Sequence, residues 1–258
     1  RFITHEESGL TLSRAGAAVI IDVHSGELLA LANWPSYDPN ARGRLSGDAI
    51  RNRVITDTFE PGSTMKPFSI AAALEAGKVR PDTRIQTAPG RLTIGDRTIG
   101  DAHVHGMLTV EEVVAKSSNV GTAKIALDLP PQTLWDTYTA LGFGQAPRLG
   151  FPGAVAGRLR PAKTWRPIEQ ATISYGHGVS VTLVQLARAY SAIARDGELV
   201  PLTLTKSEES PVAVRVLSAQ TAGALRKMLE MAVGDEGTAP AARIAGYRVA
   251  GKTGTAYK

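Results

Sequence analysis

Segments that predict strands lie near both ends of this chain, and much of the sequence between them has a helical pattern. Residues 17–23 and 27–33 flank a turn at Ser25 and Gly26 and predict a hairpin buried on both faces. Residues 247–255 predict a further strand. Helices are predicted over residues 62–77, 109–116, 120–127, 133–141, 182–195 and 218–233. This order predicts an α+β domain whose sheet joins segments from the two ends of the chain.

The helix predicted over residues 62–77 begins with the sequence Ser63-Thr64-Met65-Lys66. Residues at this spacing lie on one helical face, so the Ser63 hydroxyl and the Lys66 amine are predicted to be neighbours. A serine hydroxyl is a weak nucleophile at neutral pH unless a base lies beside it. Lysine becomes such a base when desolvation or a nearby cation lowers its pKa from about 10.4. The S-x-x-K pattern alone is common by chance, so its meaning depends on the rest of the chain.

Two more short motifs follow: Ser117-Ser118-Asn119 and Lys252-Thr253-Gly254-Thr255. Together the three motifs indicate acyl transfer. In this interpretation Ser63 attacks a carbonyl carbon and Lys66 accepts its proton. Ser117 then relays that proton to the leaving amine. Lys252 binds a substrate carboxylate, and its charge helps to keep Lys66 neutral.

The third motif also predicts how a substrate is held. Gly254 has no side chain, so a substrate backbone can approach the strand edge and pair with it as an extra strand. The backbone N–H groups of Ser63 and Thr255 are predicted to form an oxyanion hole for the charge that develops on the attacked carbonyl. Residues 252–255 are therefore the predicted substrate-binding segment.

The order S-x-x-K, S-x-N, K-T-G is found in penicillin-binding proteins and in class A β-lactamases. The chain resembles the transpeptidase domain of a class B penicillin-binding protein, most closely the septal, cell-division type of Gram-negative bacteria. The likeness includes residues 59–63, 116–121, 175–178, 185–190 and 246–256. Residues 1–13 resemble the end of that family's non-catalytic pedestal, which leaves residues 14–258 as the transpeptidase domain.

The resemblance implies a β-lactamase/transpeptidase-like α+β fold with a five-stranded antiparallel sheet flanked by helices. In that family two strands and a helix follow the third motif, and we expect them to lie outside this sequence. The implied reaction is D,D-transpeptidation: an acyl-enzyme forms from a peptidoglycan stem peptide ending in D-Ala-D-Ala, and an amine on a second stem takes the acyl group. β-Lactams acylate the same serine. No metal or organic cofactor is expected.

The resemblance assigns a role to each motif. Ser63 is the nucleophile, Lys66 the base, and Ser117 and Asn119 belong to the second catalytic motif. The substrate-binding residues are Lys252, Thr253, Gly254 and Thr255.

The resemblance also implies a location and partners. We expect the domain at the periplasmic face of the bacterial inner membrane, anchored by an N-terminal helix outside this sequence and associated with membrane proteins of the division machinery. No segment approaches the roughly 20 apolar residues that cross a bilayer. The net charge is +5, but the basic residues are scattered and aromatic residues make up only 5% of the chain, which argues against nucleic acid as a partner.

Two other functions use the same motifs. A D,D-carboxypeptidase gives the acyl group to water, and a penicillin-binding sensor or scaffold is acylated without turnover. The sequence does not separate these from a transpeptidase, because the outcome depends on how water and the acceptor reach the site. Ile173 occupies the place where the Glu-x-x-x-Asn pattern of a class A β-lactamase would continue from Glu169, which argues against a β-lactamase.

Three other features have competing interpretations. Residues 246–253 match the P-loop pattern, but their strand-like interior and the few residues after them disfavour nucleotide binding. Asp101, His103 and His105 alternate as metal ligands on one side of a strand would, although a polar surface loop or an edge strand is the favoured interpretation. His177 lies between two glycines and predicts a loop at the mouth of the site with some substrate contact.

Overall fold

A computed structural model describes residues 15–41, 43, 47–206 and 211–255. The pedestal remnant predicted for residues 1–13 lies outside the described residues. The helices are α1 (Arg53–Thr56), α2 (Lys66–Glu75), α3 (Val110–Ala115), α4 (Asn119–Leu127), α5 (Pro131–Ala140), α6 (Pro167–Ser174), α7 (Leu183–Ala194) and α8 (Ala219–Val233). The strands are β1 (Gly16–Ile21), β2 (Leu28–Trp34), β3 (Thr58–Phe59), β4 (Arg84–Gln86), β5 (Arg91–Ile94), β6 (Arg97–Gly100), β7 (Met107–Thr109), β8 (Val181–Thr182), β9 (Glu198–Leu199) and β10 (Val214–Arg215). Short 3-10 turns lie at Gly62–Met65, Ala162–Thr164 and Pro240–Ala242.

The predicted N-terminal hairpin is present as β1 and β2. The strands are antiparallel and begin their pairing at Gly16 and Trp34. One face packs on a cluster that includes Val54 and Leu183. The other face is open in the described structure, because Ile20 is 42% and Trp34 64% exposed. The prediction that both faces are buried is therefore wrong here: apolar composition allows burial, but no described segment covers this face.

The strands of the described residues form five separate antiparallel pairs, β1–β2, β3–β8, β4–β7, β5–β6 and β9–β10. The α+β class is confirmed, but the five-stranded sheet implied by the resemblance is not formed within the described residues. Nor is the strand predicted over 247–255. A strand needs a ladder partner, and the Gly251 N–H instead donates to the Leu229 carbonyl of α8, while Gly254 lies against the Gly62–Met65 turn.

Helix α2 runs through the centre of the main hydrophobic core. Its residues from Lys66 to Ala73 are all buried. The Phe68 ring makes edge contacts with Phe143 and Tyr190, at centroid distances of 5.3 and 5.0 Å. Aromatic pairs in this geometry add to the free energy gained from burial. The helix that begins at Lys66 is therefore held firmly on several sides.

Local capping signals fix where the helices begin. A capping box at Thr109 and Glu112 is present at the start of α3, and Thr182 with Gln185 forms another at α7. The remaining predicted helices correspond to α2, α4, α5 and α8, with the first turn of the predicted 62–77 helix adopting 3-10 geometry. Helices α1 and α6 are absent from the sequence prediction, because both are short and α6 has only weak periodicity.

The longest helix in the described ranges is α8, with 15 residues. A helix that crosses a bilayer needs about 20 apolar residues. Accordingly, no described helix is long and apolar enough to span a membrane.

Candidate active site

Ser63 lies in the 3-10 turn that precedes α2. The turn is held from within by the Thr64 hydroxyl, which donates to the Pro61 carbonyl at 2.6 Å. It is held from α7 by Tyr190, whose buried hydroxyl donates to the Thr64 carbonyl at 2.8 Å. Ser63 itself is half-buried, and no described residue forms a hydrogen bond with its hydroxyl. The backbone around the candidate nucleophile is thus fixed while its hydroxyl stays available.

Lys66 occupies the first position of α2 and has 0% of its surface exposed. Its amine donates to the Ser117 carbonyl at 2.5 Å and to the Ser117 hydroxyl at 3.0 Å. Burial, and then the charge of Lys252, lower the pKa of Lys66 well below its ordinary value, while Asp101 opposes them. A lysine in this environment can be neutral near physiological pH, as a general base must be.

Ser117 lies in the turn between α3 and α4 and has a left-handed backbone with φ of 61°. Such a conformation is unfavourable for a residue other than glycine and persists only where neighbouring contacts impose it. The Ser117 and Ser118 N–H groups bond to the carbonyls of Val114 and Val113, and Ser118 then caps α4. The turn therefore presents both the hydroxyl and the carbonyl of Ser117 to Lys66.

Asp101 braces this turn from the end of strand β6. Its carboxylate accepts hydrogen bonds from the Ser118 hydroxyl at 2.7 Å and from the Val120 N–H at 2.9 Å. Next to it, the Gly100 carbonyl accepts a bond from the Asn119 side chain at 2.9 Å. Asn119 is therefore held beside Ser117, and Asp101 supports the second motif.

The alternation of Asp101, His103 and His105 does not form a metal site. Residues 101–105 are not a strand, and no group of three or more His, Cys, Asp or Glu residues in the described ranges is arranged to hold a metal ion. The polar loop, one of the two favoured interpretations of this segment, is confirmed.

Lys252 approaches Ser117 from the opposite side. Its amine donates to the Ser117 hydroxyl at 2.9 Å and to the Thr253 carbonyl at 3.2 Å. Burial lowers the pKa of Lys252 to about 8. The Thr253 hydroxyl lies 3.0 Å from that of Thr238, in the loop after α8. The third motif is thus tied both to the second motif and to a loop that the sequence pattern did not single out.

Glycines allow the third motif to lie directly against the Ser63 turn. Gly62 has φ of 54°, and a Cβ atom there would collide with the Thr255 carbonyl. A Cβ atom on Gly254 would lie 2.7 Å from the Thr64 side chain. The N–H groups of Ser63 and Thr255 form no hydrogen bond to any described residue. The close approach of residues 254–255 to the Ser63 turn is compatible with the predicted oxyanion hole.

The same contacts argue against a P-loop at residues 246–253. A P-loop connects a strand to a helix, whereas residues 250–255 are irregular and the Lys252 amine is bonded within the cleft. The predicted strand-like interior is also wrong, and nucleotide binding stays disfavoured because residues 246–255 form neither the strand nor the helix of a P-loop.

His177 lies in the loop that follows α6, as predicted, and it meets the segment before Ser63. Its Nδ1 atom is 3.0 Å from a Glu60 carboxylate oxygen, and the other oxygen accepts the Gly178 N–H at 2.8 Å. Glu60 was not among the predicted site residues. The only sequence signal for it was its place three residues before the serine.

The family model for the penicillin binding protein transpeptidase domain matches residues 16–258. The chain belongs to this family. The resemblance to a penicillin-binding protein is thereby confirmed, and the site described above lies in a transpeptidase domain.

Several penicillin-binding proteins of known sequence are similar to this transpeptidase domain. The probable peptidoglycan D,D-transpeptidase PenA of Neisseria flavescens is 45% identical over 95% of this chain and 61% of its own length. The peptidoglycan D,D-transpeptidase FtsI of Escherichia coli K12 is 42% identical over 95% of this chain and 42% of its own length. The chain therefore spans about half the length of these relatives.

Solved structures of similar proteins have the same fold as this domain. The transpeptidase domain of Burkholderia pseudomallei penicillin-binding protein 3 has a TM-score of 0.87 and 51% identity, over 95% of this chain and 70% of that one. A Burkholderia ambifaria structure described as a peptidoglycan glycosyltransferase has a TM-score of 0.88 and 50% identity, over 95% of this chain and 74% of that one.

Proposed function

We propose that this domain is a serine D,D-transpeptidase that crosslinks peptidoglycan stem peptides through an acyl-enzyme on Ser63. The single observation that carries the proposal is that the amines of Lys66 and Lys252 converge on one hydroxyl, that of Ser117. This arrangement provides a buried base, a proton relay and a cation for a carboxylate within one cleft. The names of the PenA and FtsI relatives support the same activity.

Acylation begins when the Ser63 oxygen attacks the carbonyl carbon of the penultimate D-Ala. Neutral Lys66 takes the hydroxyl proton, and the N–H groups of Ser63 and Thr255 stabilise the negative oxygen of the tetrahedral intermediate. The proton then passes from Lys66 through the Ser117 hydroxyl to the nitrogen of the terminal D-Ala. The C–N bond breaks, D-Ala leaves, and an ester remains on Ser63.

Deacylation reverses these roles. The amine of a second stem peptide attacks the ester carbonyl, and its proton returns through Ser117 and Lys66 to the Ser63 oxygen. The C–O bond breaks, the new amide leaves, and Ser63 is restored. The same groups therefore act as acid and base in both half-reactions.

Substrate recognition is assigned to the second and third motifs. Lys252 and the Thr253 hydroxyl bind the terminal carboxylate of the donor peptide, and the backbone at Gly254 and Thr255 pairs with the peptide backbone. Asn119 lies beside Ser117 and is assigned to the donor amide. A β-lactam, which carries a carboxylate and a reactive amide, is expected to use the same contacts.

The glycosyltransferase named for the Burkholderia ambifaria structure is a different reaction. That name describes the other protein. In this chain the Asp101 carboxylate acts on Lys66 through its charge, and it accepts hydrogen bonds from the Ser118 hydroxyl and the Val120 N–H. The described cleft therefore supports acyl transfer.

Location and partners follow from the proposed reaction. The substrate lies outside the bacterial inner membrane, so the domain is assigned to its periplasmic face, with an anchoring helix outside these residues. Membrane proteins of the division machinery are the proposed partners, by resemblance to the septal type. Labelling of intact cells with a fluorescent penicillin that cannot cross the inner membrane tests the location.

Intact-mass analysis after incubation with a penicillin tests the reaction. We expect one adduct per chain, located on Ser63 and lost in Ser63→Ala. Lys66→Ala abolishes acylation, and Lys252→Ala slows it by about 10- to 100-fold, because a charge-assisted bond to the carboxylate is lost. Lys163→Ala, at an exposed lysine, is the control and acylates at the rate of the unmodified protein. Unchanged rates in both active-site lysine variants would refute the mechanism.

A D,D-carboxypeptidase and a sensor or scaffold without turnover remain the competing functions. Product analysis with a stem peptide, in the presence and absence of an amine acceptor, separates all three. A transpeptidase gives the crosslinked product when the acceptor is present. Hydrolysis alone would indicate a carboxypeptidase, and a stable adduct without product would indicate a sensor or scaffold.

A further inference from the structure

A network between Glu60 and the loop at residues 176–178 continues a short sheet up to the candidate nucleophile. Strands β3 and β8 pair through Thr58 with Thr182 and through Phe59 with Val181, and the regular ladder then stops. Beyond it, the two segments stay joined by the Gly62 N–H, which donates to the Gly176 carbonyl at 3.2 Å. A single backbone hydrogen bond therefore joins the two segments next to Ser63.

Between the β3–β8 pair and this bond, the side chain of Glu60 connects the two segments. One carboxylate oxygen accepts the Gly178 N–H at 2.8 Å, and the other lies 3.0 Å from the Nδ1 atom of His177. Burial raises the pKa of Glu60, but the hydrogen bonds from Gly178 and His177 outweigh it and leave the pKa below its ordinary value. An ionised carboxylate only accepts hydrogen bonds, so Nδ1 of His177 carries a proton.

The loop at residues 176–178 has a backbone conformation that its neighbouring contacts hold in place. Gly176 and Gly178 have φ of 91° and 81°, in the region that glycine adopts most easily. Gly176 packs so closely on Gly62 that a Cβ atom would collide with the Gly62 backbone. The His177 N–H donates to the Thr172 carbonyl at the end of α6. The loop is therefore anchored to α6, and Glu60 connects that anchor to the Ser63 turn.

We infer that Glu60 is a positioning residue, whose paired contacts with His177 and Gly178 fix the Ser63 turn for acylation. The inference rests on the proposed function, because it concerns the geometry of the same nucleophile. Glu60 lies three residues before Ser63, and no contact between its carboxylate and the reacting hydroxyl is needed. A shift of about 1 Å in a reacting group lowers a rate by about 100-fold, so a tether at this position has a measurable effect.

The test separates acylation chemistry from binding and from folding. The rate constant at saturation and the dissociation constant of the complex before acylation are measured with a fluorescent penicillin. We expect Glu60→Ala to lower the rate constant by about tenfold or more, with the dissociation constant changed by less than about threefold. In Glu60→Gln the amide oxygen still accepts from Gly178, and the amide N–H can donate to Nδ1 of the other His177 tautomer, so this variant is expected to restore most of the rate.

The coupling between Glu60 and His177 in the acylation rate constant provides a second test of the inference. Because the two side chains contact each other, the effects of Glu60→Ala and His177→Ala on the rate constant are expected to be less than additive in the double variant. The control is Glu198→Ala, which removes a carboxylate of similar exposure, 31% against 38%, from an ion pair with Arg215. It is expected to leave the rate unchanged.

Amide hydrogen exchange at residues 176–178 provides a readout that does not depend on acylation. Faster exchange in Glu60→Ala than in Glu60→Gln is expected, with equal melting temperatures. An acylation rate constant for Glu60→Ala within about twofold of the unmodified protein overturns the inference, as does a loss carried wholly by the dissociation constant or by unfolding. Failure of the unmodified protein to acylate would instead refute the proposed function.

Discussion

Lys66 and Lys252 share one hydrogen-bond acceptor, the Ser117 hydroxyl, at 3.0 and 2.9 Å. Two ammonium groups this close repel one another, so the protonated state of both is disfavoured. The pKa of each lysine lies below its ordinary value, and Lys252 contributes to the shift at Lys66. The two groups are therefore expected to titrate as a coupled pair in which one amine is neutral and the other charged.

This pair predicts a bell-shaped dependence of acylation on pH. The rate rises with pH as Lys66 loses its proton and becomes a base. It falls above about pH 8, where Lys252 loses the charge that binds the substrate carboxylate. The second-order rate constant of penicillin acylation, measured from pH 5 to pH 10 under buffers of about equal ionic strength, reports both limbs.

The variant Lys252→Gln separates the two limbs. Without the charge of Lys252, the pKa of Lys66 rises, so the acidic limb moves to higher pH and the basic limb disappears. An acidic limb that stays in place in Lys252→Gln would show that Lys66 is not the titrating base.

Asp101→Ala is predicted to destabilise the second motif. The substitution leaves the Ser118 hydroxyl and the Val120 N–H without their acceptor, which costs about 1–3 kcal/mol of the free energy of unfolding. Acylation also slows, because the strained Ser117 turn loses a support. Denaturant unfolding and acylation rates measure the two effects.

The matched control for this prediction is Asp96→Ala. Asp96 lies in the β5–β6 turn of the same hairpin and has only a 3.9 Å ion pair with Arg97 at the surface. Exposed pairs contribute little to stability, so no change is expected. Equal stability of the Asp101 and Asp96 variants would contradict the assigned role.

Gly254→Ala is predicted to slow acylation without unfolding the protein. The new methyl group would lie 2.7 Å from the Thr64 side chain, so the third motif must move away from the Ser63 turn. We expect a rate at least about tenfold lower, with little change in melting temperature because Gly254 is exposed.

Gly223→Ala provides the comparison for Gly254. Gly223 lies within α8, where the nearest atom to an added Cβ is on Arg226 at 3.8 Å. Alanine is the better helix former, so this variant is expected to be more stable by up to about 1 kcal/mol and to acylate normally. Normal acylation by Gly254→Ala as well would mean that the close approach of the two segments is not required.

Tyr190→Phe removes the hydroxyl that binds the Thr64 carbonyl and keeps the ring contact with Phe68. The loss of one buried hydrogen bond is expected to lower the free energy of unfolding by about 1 kcal/mol. A severalfold lower acylation rate is also expected, because the turn that carries Ser63 becomes less rigid. Calorimetry and acylation kinetics on the same preparation test this, and a loss of stability with an unchanged rate would limit Tyr190 to a core role.

Local features of the fold were accessible from the sequence because they depend on neighbouring residues. The capping box at Thr109 and the amphipathic stripe of α7 are examples. The serine, lysine and glycine motifs were also recognisable, because their order along the chain is specific although each short pattern alone is not. The hydrogen bond from Tyr190 to the Thr64 carbonyl, by contrast, joins residues 126 positions apart and had no local signal.

Contacts between distant segments could not be predicted in the same way. Glu60 and Gly178 are 118 residues apart, and no periodicity relates them. Asp101 had the residue type of a metal ligand, and only its position against Ser118 reveals a structural role. The open face of β1 and β2 illustrates the same limit, since an apolar pattern does not specify what covers it.

The complete burial of Lys66 has a consequence for the path of the proton. Its amine has no exposed surface, and its hydrogen-bond partners among the described residues are the two oxygens of Ser117. A proton taken from the nucleophile thus has no direct exit to bulk solvent and must move along the serine to the departing nitrogen. The same circuit serves any attacking nucleophile, so a preference for an amine over water has to come from access to the acyl-enzyme and not from the base.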